Sequence, residues 1–218
     1  MAGRDLAARG VLAAAMLGGV SYLAADHLPL SPALSLAWKG SGVGLLAVYA
    51  ALRARSLDGW LLTGVMALGA AGDVLLGAAG FVVGGAAFLV GHLVAIGLYL
   101  RSRRPGLALA DRLFALALVP AVVAAAFWLP ADRAGAPGVA LYALGLSAMA
   151  ASAWVSRFPR PWVAAGALMF VASDLLIFAR SGPLAGQAWV GFAVWSLYFA
   201  GQALICLGVS RTLQPARA

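Results

Sequence analysis

The stretch LGAAGDVLLG, residues 68–77, belongs to an apolar run whose length decides the fold class. Within this run lies an aspartate, Asp73. The run extends over 58–77, which is about the 20 residues that a helix needs to cross the hydrocarbon of a bilayer. The whole chain is similarly apolar, since 64% of its 218 residues are hydrophobic and 10% are charged. Soluble domains are about 45–50% apolar and about 25% charged. The composition therefore predicts a polytopic membrane protein and leaves no room for a soluble domain.

Apolar segments of this length follow one another along the chain, separated by short stretches with turn residues and charges. They predict an all-α bundle of eight transmembrane helices that forms a single integral membrane domain over 1–218. The predicted spans are 6–25, 33–53, 58–77, 80–100, 110–129, 137–156, 161–180 and 187–209. The weakest boundary is GAAGF, residues 77–81, and we place it there because 58–100 is too long for one crossing. The first span also resembles a signal peptide, but its cleavage would leave seven spans, so we expect it to be retained.

The basic residues lie mostly on one side of the predicted bundle. The other side has only Arg133 and Arg180, and Lys39 lies within span two. The basic side carries Arg4, Arg9, Arg53, Arg55, Arg101, Arg103, Arg104, Arg112, Arg157, Arg160, Arg211 and Arg217. Because basic residues concentrate in cytoplasmic loops, both termini are predicted to be cytoplasmic. The alanine- and arginine-rich composition, with a single lysine and no glutamate, indicates a bacterium with GC-rich DNA, and the membrane is then expected to be its cytoplasmic membrane. The net charge of +8 then reflects topology and contact with anionic membrane lipids, not nucleic acid.

The aspartate motif occurs twice, as AAGDVLL around Asp73 in span three and as VASDLLI around Asp174 in span seven. The two copies are four spans apart, which predicts two repeats with boundaries 1–104 and 105–218. Four is an even number, so the repeats would be parallel and related by an axis along the membrane normal. Such an axis can bring two equivalent aspartates face to face.

Both aspartates lie near the outer ends of their spans, roughly 6–9 Å below the membrane boundary at about 1.5 Å per residue. Further polar side chains reach the same half of the bilayer: Lys39, His92, Tyr198 and Gln202. Ionisable residues at the centre of a span cost about 2.5–3.5 kcal/mol each, and they usually mark functional sites. The alternatives are structural. Lys39 can reach the outer headgroups or neutralise an aspartate, and the other three can be helix–helix contacts. No metal site is predicted, and the single cysteine, Cys206, is expected to be a buried packing thiol.

Four segments carry a resemblance to a known family: LGAAGDVLL, GGAAFLVGHLVAIGLYL with its Phe-x-x-x-His, GALMFVASDLLIFA and YFAGQALI. In this order they resemble the YhhN-type lysoplasmalogenase family of membrane hydrolases, over essentially the whole chain. The resemblance implies cleavage of the vinyl-ether bond of a lysophospholipid, a lysoplasmalogen, to a fatty aldehyde and a glycerophospho-alcohol, without an organic cofactor. One departure is that many relatives have Lys-Pro in span two, where this chain has Lys39-Gly40.

The implied chemistry suits the polar residues. A vinyl ether hydrolyses by protonation of carbon, and water then captures the oxocarbenium ion. Two carboxylates in one low-dielectric pocket do not both ionise readily, so one is expected to be a protonated acid and the other a negative charge or base, as in glycosidases. We therefore predict Asp73, Asp174 and His92 as catalytic residues, and Lys39, Tyr198 and Gln202 as substrate-binding residues. A proton-coupled transporter and an inactive lipid-binding scaffold are the alternative functions.

Overall fold

A computed structural model describes residues 2–214, apart from the side chains of Ala2 and Asp26. Within this range the chain is helical and contains no β-strand, and an isolated bridge joins Arg103 to Ser156. The α-helices are α1 (Ala2–Ser21), α2 (Pro32–Arg53), α3 (Leu57–Ala78), α4 (Phe81–Arg101), α5 (Leu109–Trp128), α6 (Ala136–Val155), α7 (Val163–Arg180) and α8 (Trp189–Thr212). Each is long and apolar enough to cross a membrane. The predicted all-α bundle of eight helices is confirmed, and the chain is an integral membrane protein.

The helix ends have local causes in the sequence. Ser31 and Ser56 cap α2 and α3, since their hydroxyl oxygens accept hydrogen bonds from the backbone N–H groups of Leu34 and Gly59, both at 3.3 Å. Between α3 and α4, Gly80 has a φ of +87°, a conformation that only glycine adopts without strain. This residue explains how GAAGF separates two long apolar helices, as predicted.

The first candidate span ends at Ala25, as predicted, but its last residues are not α-helical. Helix α1 stops at Ser21, and the chain continues as a 3₁₀-helix over Tyr22–His27. Trp38 of α2 fixes this end, because its indole N–H is 3.2 Å from the Gly18 carbonyl oxygen and 3.0 Å from the Ser21 hydroxyl. Hydrophobic periodicity over 6–25 predicts the span but not this change of helix type.

The described chain divides into two compact units. The first contains the residues up to Ala95 together with those from Cys206 onward, and the second contains Ile96–Ile205. In the first unit α2 packs against both α1 and α3, and in the second α6 packs against both α5 and α7. Helices α4 and α8 contribute residues to both units. The predicted repeats and the cytoplasmic position of both termini stay predictions. Arg217, one of the basic residues from which the orientation is predicted, lies outside the described residues.

Candidate active site

In the first unit, α2 and α3 bring Lys39 and Asp73 together. The Lys39 Nζ atom lies 4.0 Å from Asp73 Oδ1, and the two side chains are 22% and 3% exposed. The opposite directions of α2 and α3 predict that Lys39 lies at the depth of Asp73, and the structure places the two side chains within ion-pair distance. A pair of opposite charges at this separation interacts far more strongly in a low-dielectric interior than in water. The Lys39 ammonium and the Asp73 carboxylate can therefore both be ionised inside the bilayer, because together they have no net charge.

Glycines next to these two residues let the helices approach closely. A Cβ atom on Gly40 would lie 2.7 Å from Val74 Cγ2, and one on Gly72 would lie 2.7 Å from ring carbons of Phe88. Helix α3 is thus held between α2 and α4 at the level of Asp73. Helix α2 runs without a break through residues 39–40, so Gly40 serves here for close packing.

His92 lies on α4 one helical turn after Phe88 and is 3% exposed. Residues four apart share a helix face, so His92 lies on the face of α4 that packs on α3. The neighbouring Gly91 faces Leu68, since a Cβ there would lie 3.3 Å from the Leu68 Cβ atom. This register places His92 about one turn, roughly 5 Å, deeper in the first unit than Asp73.

In the second unit, Asp174 of α7 has a partner that the sequence analysis missed. The Tyr142 hydroxyl of α6 donates a hydrogen bond of 2.6 Å to Asp174 Oδ2, and Asp174 is 5% exposed. Tyr142 lies six positions after Ala136, where α6 begins, and Asp174 lies six positions before Arg180, where α7 ends. Because consecutive spans run in opposite directions, these positions place Tyr142 and Asp174 at the same depth. This equal depth is the feature of the sequence that could have predicted their contact. The sequence pattern does not single out Tyr142, because a lone tyrosine in an apolar span carries no charge.

Tyr198 and Gln202 of α8 lie deeper than Asp174 in the same unit. The Tyr198 ring packs edge-on against Phe170, with 5.0 Å between centroids, and Phe170 precedes Asp174 by one turn of α7. Gln202 follows one turn later and donates through Nε2 to the Tyr198 hydroxyl at 3.4 Å. Its neighbour Gly201 packs on Gly166, which lies eight residues before Asp174 on α7, or about 12 Å along the helix axis. Tyr198 therefore lies within a turn of the carboxyl group, whereas Gln202 lies at the depth of a lipid chain.

The six predicted site residues thus fall into two clusters that each lie within one unit. The first consists of Lys39, Asp73 and His92, and the second of Asp174, Tyr198 and Gln202, with Tyr142 as an addition. Among residues 2–214, no three histidine, cysteine or acidic side chains are grouped so that they could hold a metal ion. The chemistry that these clusters offer is proton transfer and charge stabilisation in a setting shielded from water.

The comparisons with known proteins identify the family of the chain. The YhhN family matches residues 34–209, a range that contains both clusters. Two curated relatives carry the name lysoplasmalogenase, one from Mycobacterium bovis and one from Mycobacterium tuberculosis. Each is 33% identical over 191 residues, which is 84% of this chain and 71% of the relative. No solved structure matches the chain. On the length of the family match and on these identities, the chain belongs to the YhhN family.

Proposed function

We propose that this chain is a membrane hydrolase that cleaves the vinyl-ether bond of lysoplasmalogens. The products are a fatty aldehyde and a glycerophospho-alcohol, and the reaction uses no organic cofactor. The name of the two relatives supports the reaction class. The observation that carries the proposal is the pair of aspartates, Asp73 and Asp174, each buried inside a span beside a polar partner. Enol-ether hydrolysis needs one acid that protonates carbon and one negative charge that stabilises the resulting cation.

The depth of the carboxyl groups fits a lipid substrate. With both termini in the cytoplasm of a bacterium, Asp73 and Asp174 lie in the outer half of the cytoplasmic membrane, roughly 6–9 Å below its boundary. A lysolipid places its headgroup at the interface and its chain in the hydrocarbon, so its enol ether lies at about this depth. Lys39 is the cation among the proposed site residues and would bind the lipid phosphate. Tyr198 and Gln202 would line the path of the lipid chain.

The competing function is a proton-coupled carrier with the same ionisable residues. Secondary transporters commonly bind substrate where helices are interrupted near the bilayer midplane. Here α3 and α7 run without a break through Asp73 and Asp174. This continuity favours a fixed catalytic site over a carrier.

Turnover in heavy water tests the hydrolase against the carrier. If a buried acid protonates the enol-ether carbon in the slow step, turnover in heavy water is expected to fall, and a single deuterium is expected on the alpha carbon of the aldehyde. The label is measured by mass spectrometry of the aldehyde released by purified protein in detergent. The matched control is unlabelled aldehyde incubated with the protein in the same heavy water, which corrects for exchange after release.

Transport measured in sealed vesicles that contain the protein tests the carrier directly. A carrier would accumulate intact lysolipid inside in response to a pH gradient, with no aldehyde and no deuterium incorporation. That result would refute the proposed hydrolase. Aldehyde that carries no solvent deuterium would refute carbon protonation and would point to an oxidative cleavage instead.

His92 is expected to assist the reaction by orienting a carboxyl group or the attacking water. His92→Ala should lower kcat by up to about 10²-fold, the lower end of what a positioned proton-transfer group contributes. His92→Gln, which keeps hydrogen-bonding capacity, should retain more activity than His92→Ala. The kinetics are compared at equal amounts of folded protein, judged by the thermal transition. If both variants turn over like the parent, His92 is a helix–helix contact.

A further inference from the structure

We propose that the partners of the two aspartates assign their roles: Lys39 keeps Asp73 ionised, and Tyr142 positions a protonated Asp174 as the acid. This assignment rests on the proposed hydrolase function, and it identifies Tyr142 as a positioning residue for that reaction. It follows from the charges and contacts within each cluster.

The first step is the charge balance of the Lys39 cluster. An isolated charge inside the bilayer is costly, but an ammonium beside a carboxylate carries no net charge. Lys39 Nζ lies 4.0 Å from Asp73 Oδ1, and the Asp73 side chain is almost fully buried. Protonating Asp73 would leave the ammonium without its counter-charge. The ion pair is therefore the favourable state of this cluster.

The second step is the charge balance of the Asp174 cluster. Its hydrogen-bond partner Tyr142 is a neutral phenol, which cannot compensate a negative charge as Lys39 does. A protonated carboxyl group beside a phenol is the state of this cluster that carries no net charge. The proton that the reaction needs is thus stored on Asp174.

The third step is the direction of the hydrogen bond. Asp174 Oδ2 accepts from the Tyr142 hydroxyl at 2.6 Å, so the proton of the neutral carboxyl group resides on Oδ1. When Asp174 gives up this proton, the bond from Tyr142 becomes charge-assisted and strengthens. Tyr142 therefore fixes the orientation of the acid and also stabilises its conjugate base.

The reaction balances with these roles. Asp174 transfers its proton to the enol-ether carbon that is remote from oxygen, which leaves an oxocarbenium ion and an Asp174 carboxylate. The ionised Asp73 stabilises the cation. Water adds to the cationic carbon and returns a proton to Asp174, giving a hemiacetal. Cleavage of its carbon–oxygen bond to the glycerol releases the aldehyde, and the hydroxyl proton of the hemiacetal moves to the departing alcohol.

The two partners occupy corresponding places in the chain. Lys39 lies on the helix that precedes α3, and Tyr142 lies on the helix that precedes α7. In the predicted repeats these are span two and span six. A cation at one position and a phenol at the other is the difference that separates the roles of two otherwise similar aspartate motifs.

Infrared spectroscopy of the purified protein tests the assignment without substrate, through the carbonyl stretch of a protonated carboxylic acid. The parent is expected to show this band. Asp174→Asn should remove it and Asp73→Asn should keep it. Tyr142→Phe should keep the band but shift it to higher frequency, because the carbonyl loses its donor. Tyr142→Phe should also lower kcat more than it changes KM.

The matched control is Tyr99→Phe, since the Tyr99 hydroxyl is buried and makes no hydrogen bond. This variant should leave the carboxylic acid band, kcat and KM unchanged.

Lys39→Met gives a second, independent readout that does not require Asp174→Asn to fold. Without the ammonium, Asp73 is expected to take up a proton, so a second carboxylic acid band should appear and should be absent from the double variant Lys39→Met/Asp73→Asn. The assignment is overturned if the parent band disappears in Asp73→Asn and persists in Asp174→Asn, if the parent shows no such band, or if Lys39→Met adds none. Because these spectra need no turnover, the roles can fail while aldehyde release stands, and the proposed function can fail while the roles stand.

Discussion

Asp174→Asn is expected to abolish aldehyde release, lowering kcat by at least about 10²-fold, because a positioned acid contributes about 10²–10⁴-fold to a proton-transfer step. Asparagine has the size of aspartate, and its amide oxygen can still accept the hydrogen bond from Tyr142, but it has no proton to give. The protein is therefore expected to stay folded and lipid-inserted. Activity is measured as free aldehyde from a lysoplasmalogen in detergent.

Asp73→Asn is expected to reduce turnover as severely, for a different reason. It removes the negative charge that stabilises the cation and leaves the Lys39 ammonium without its counter-charge. Asp132→Asn is the matched control, since Asp132 is exposed and its Oδ1 atom accepts a hydrogen bond of 2.9 Å from the Ala134 N–H, which an asparagine oxygen also accepts. Near-normal turnover by either Asp174→Asn or Asp73→Asn would refute the proposed catalytic aspartates.

Gly201→Val is expected to destabilise the protein strongly. A Cβ atom on Gly201 would lie 2.6 Å from the Gly166 carbonyl oxygen, and one on Gly166 would lie 2.6 Å from the Gly201 carbonyl oxygen. These neighbours are backbone atoms, so α7 and α8 must separate to admit a side chain. Overpacking typically costs about 1–3 kcal/mol, and a backbone collision is at the upper end. Activity should also fall, because α7 carries Asp174 and α8 carries Tyr198.

The measurement is the thermal transition of purified protein in detergent, together with aldehyde release. Gly191→Ala is the matched control on the same helix, because a Cβ there would meet no atom within 4 Å. It should melt at or slightly above the temperature of the parent, since alanine favours helix more than glycine. A Gly201→Val protein that melts with the parent would show that the two helices are not in backbone contact.

Much of the fold was predictable because the bilayer imposes a simple length rule on apolar segments. The predicted span 58–77 and the observed α3, Leu57–Ala78, differ by one residue at each end. Hydropathy does not distinguish an α-helix from the 3₁₀-helix at Tyr22–His27, because this local tightening accompanies tertiary contacts of Trp38.

The part of the candidate site that consists of charged residues was predictable from the sequence. Lys39 and Asp73 stand out in apolar spans, and counting residues from the span ends placed them at one depth before the structure showed them 4.0 Å apart. Tyr142 was not predicted because its hydrogen bond depends on how α6 and α7 are rotated about their axes, which depth alone does not specify. The depth of Gln202 relative to Asp174 became clear only from the packing of Gly201 on Gly166.

The close contact between Gly40 and Val74 limits how sequences can be exchanged within the family. A proline at position 40 would bring a Cβ atom to within 2.7 Å of Val74 Cγ2, and it would also remove a backbone hydrogen bond of α2. Such a proline requires a smaller or differently rotated side chain at position 74, one residue from Asp73. A chimera in which α2 carries any residue larger than glycine at position 40 is therefore expected to need a matching α3, so that α2 and α3 should be exchanged together as a pair.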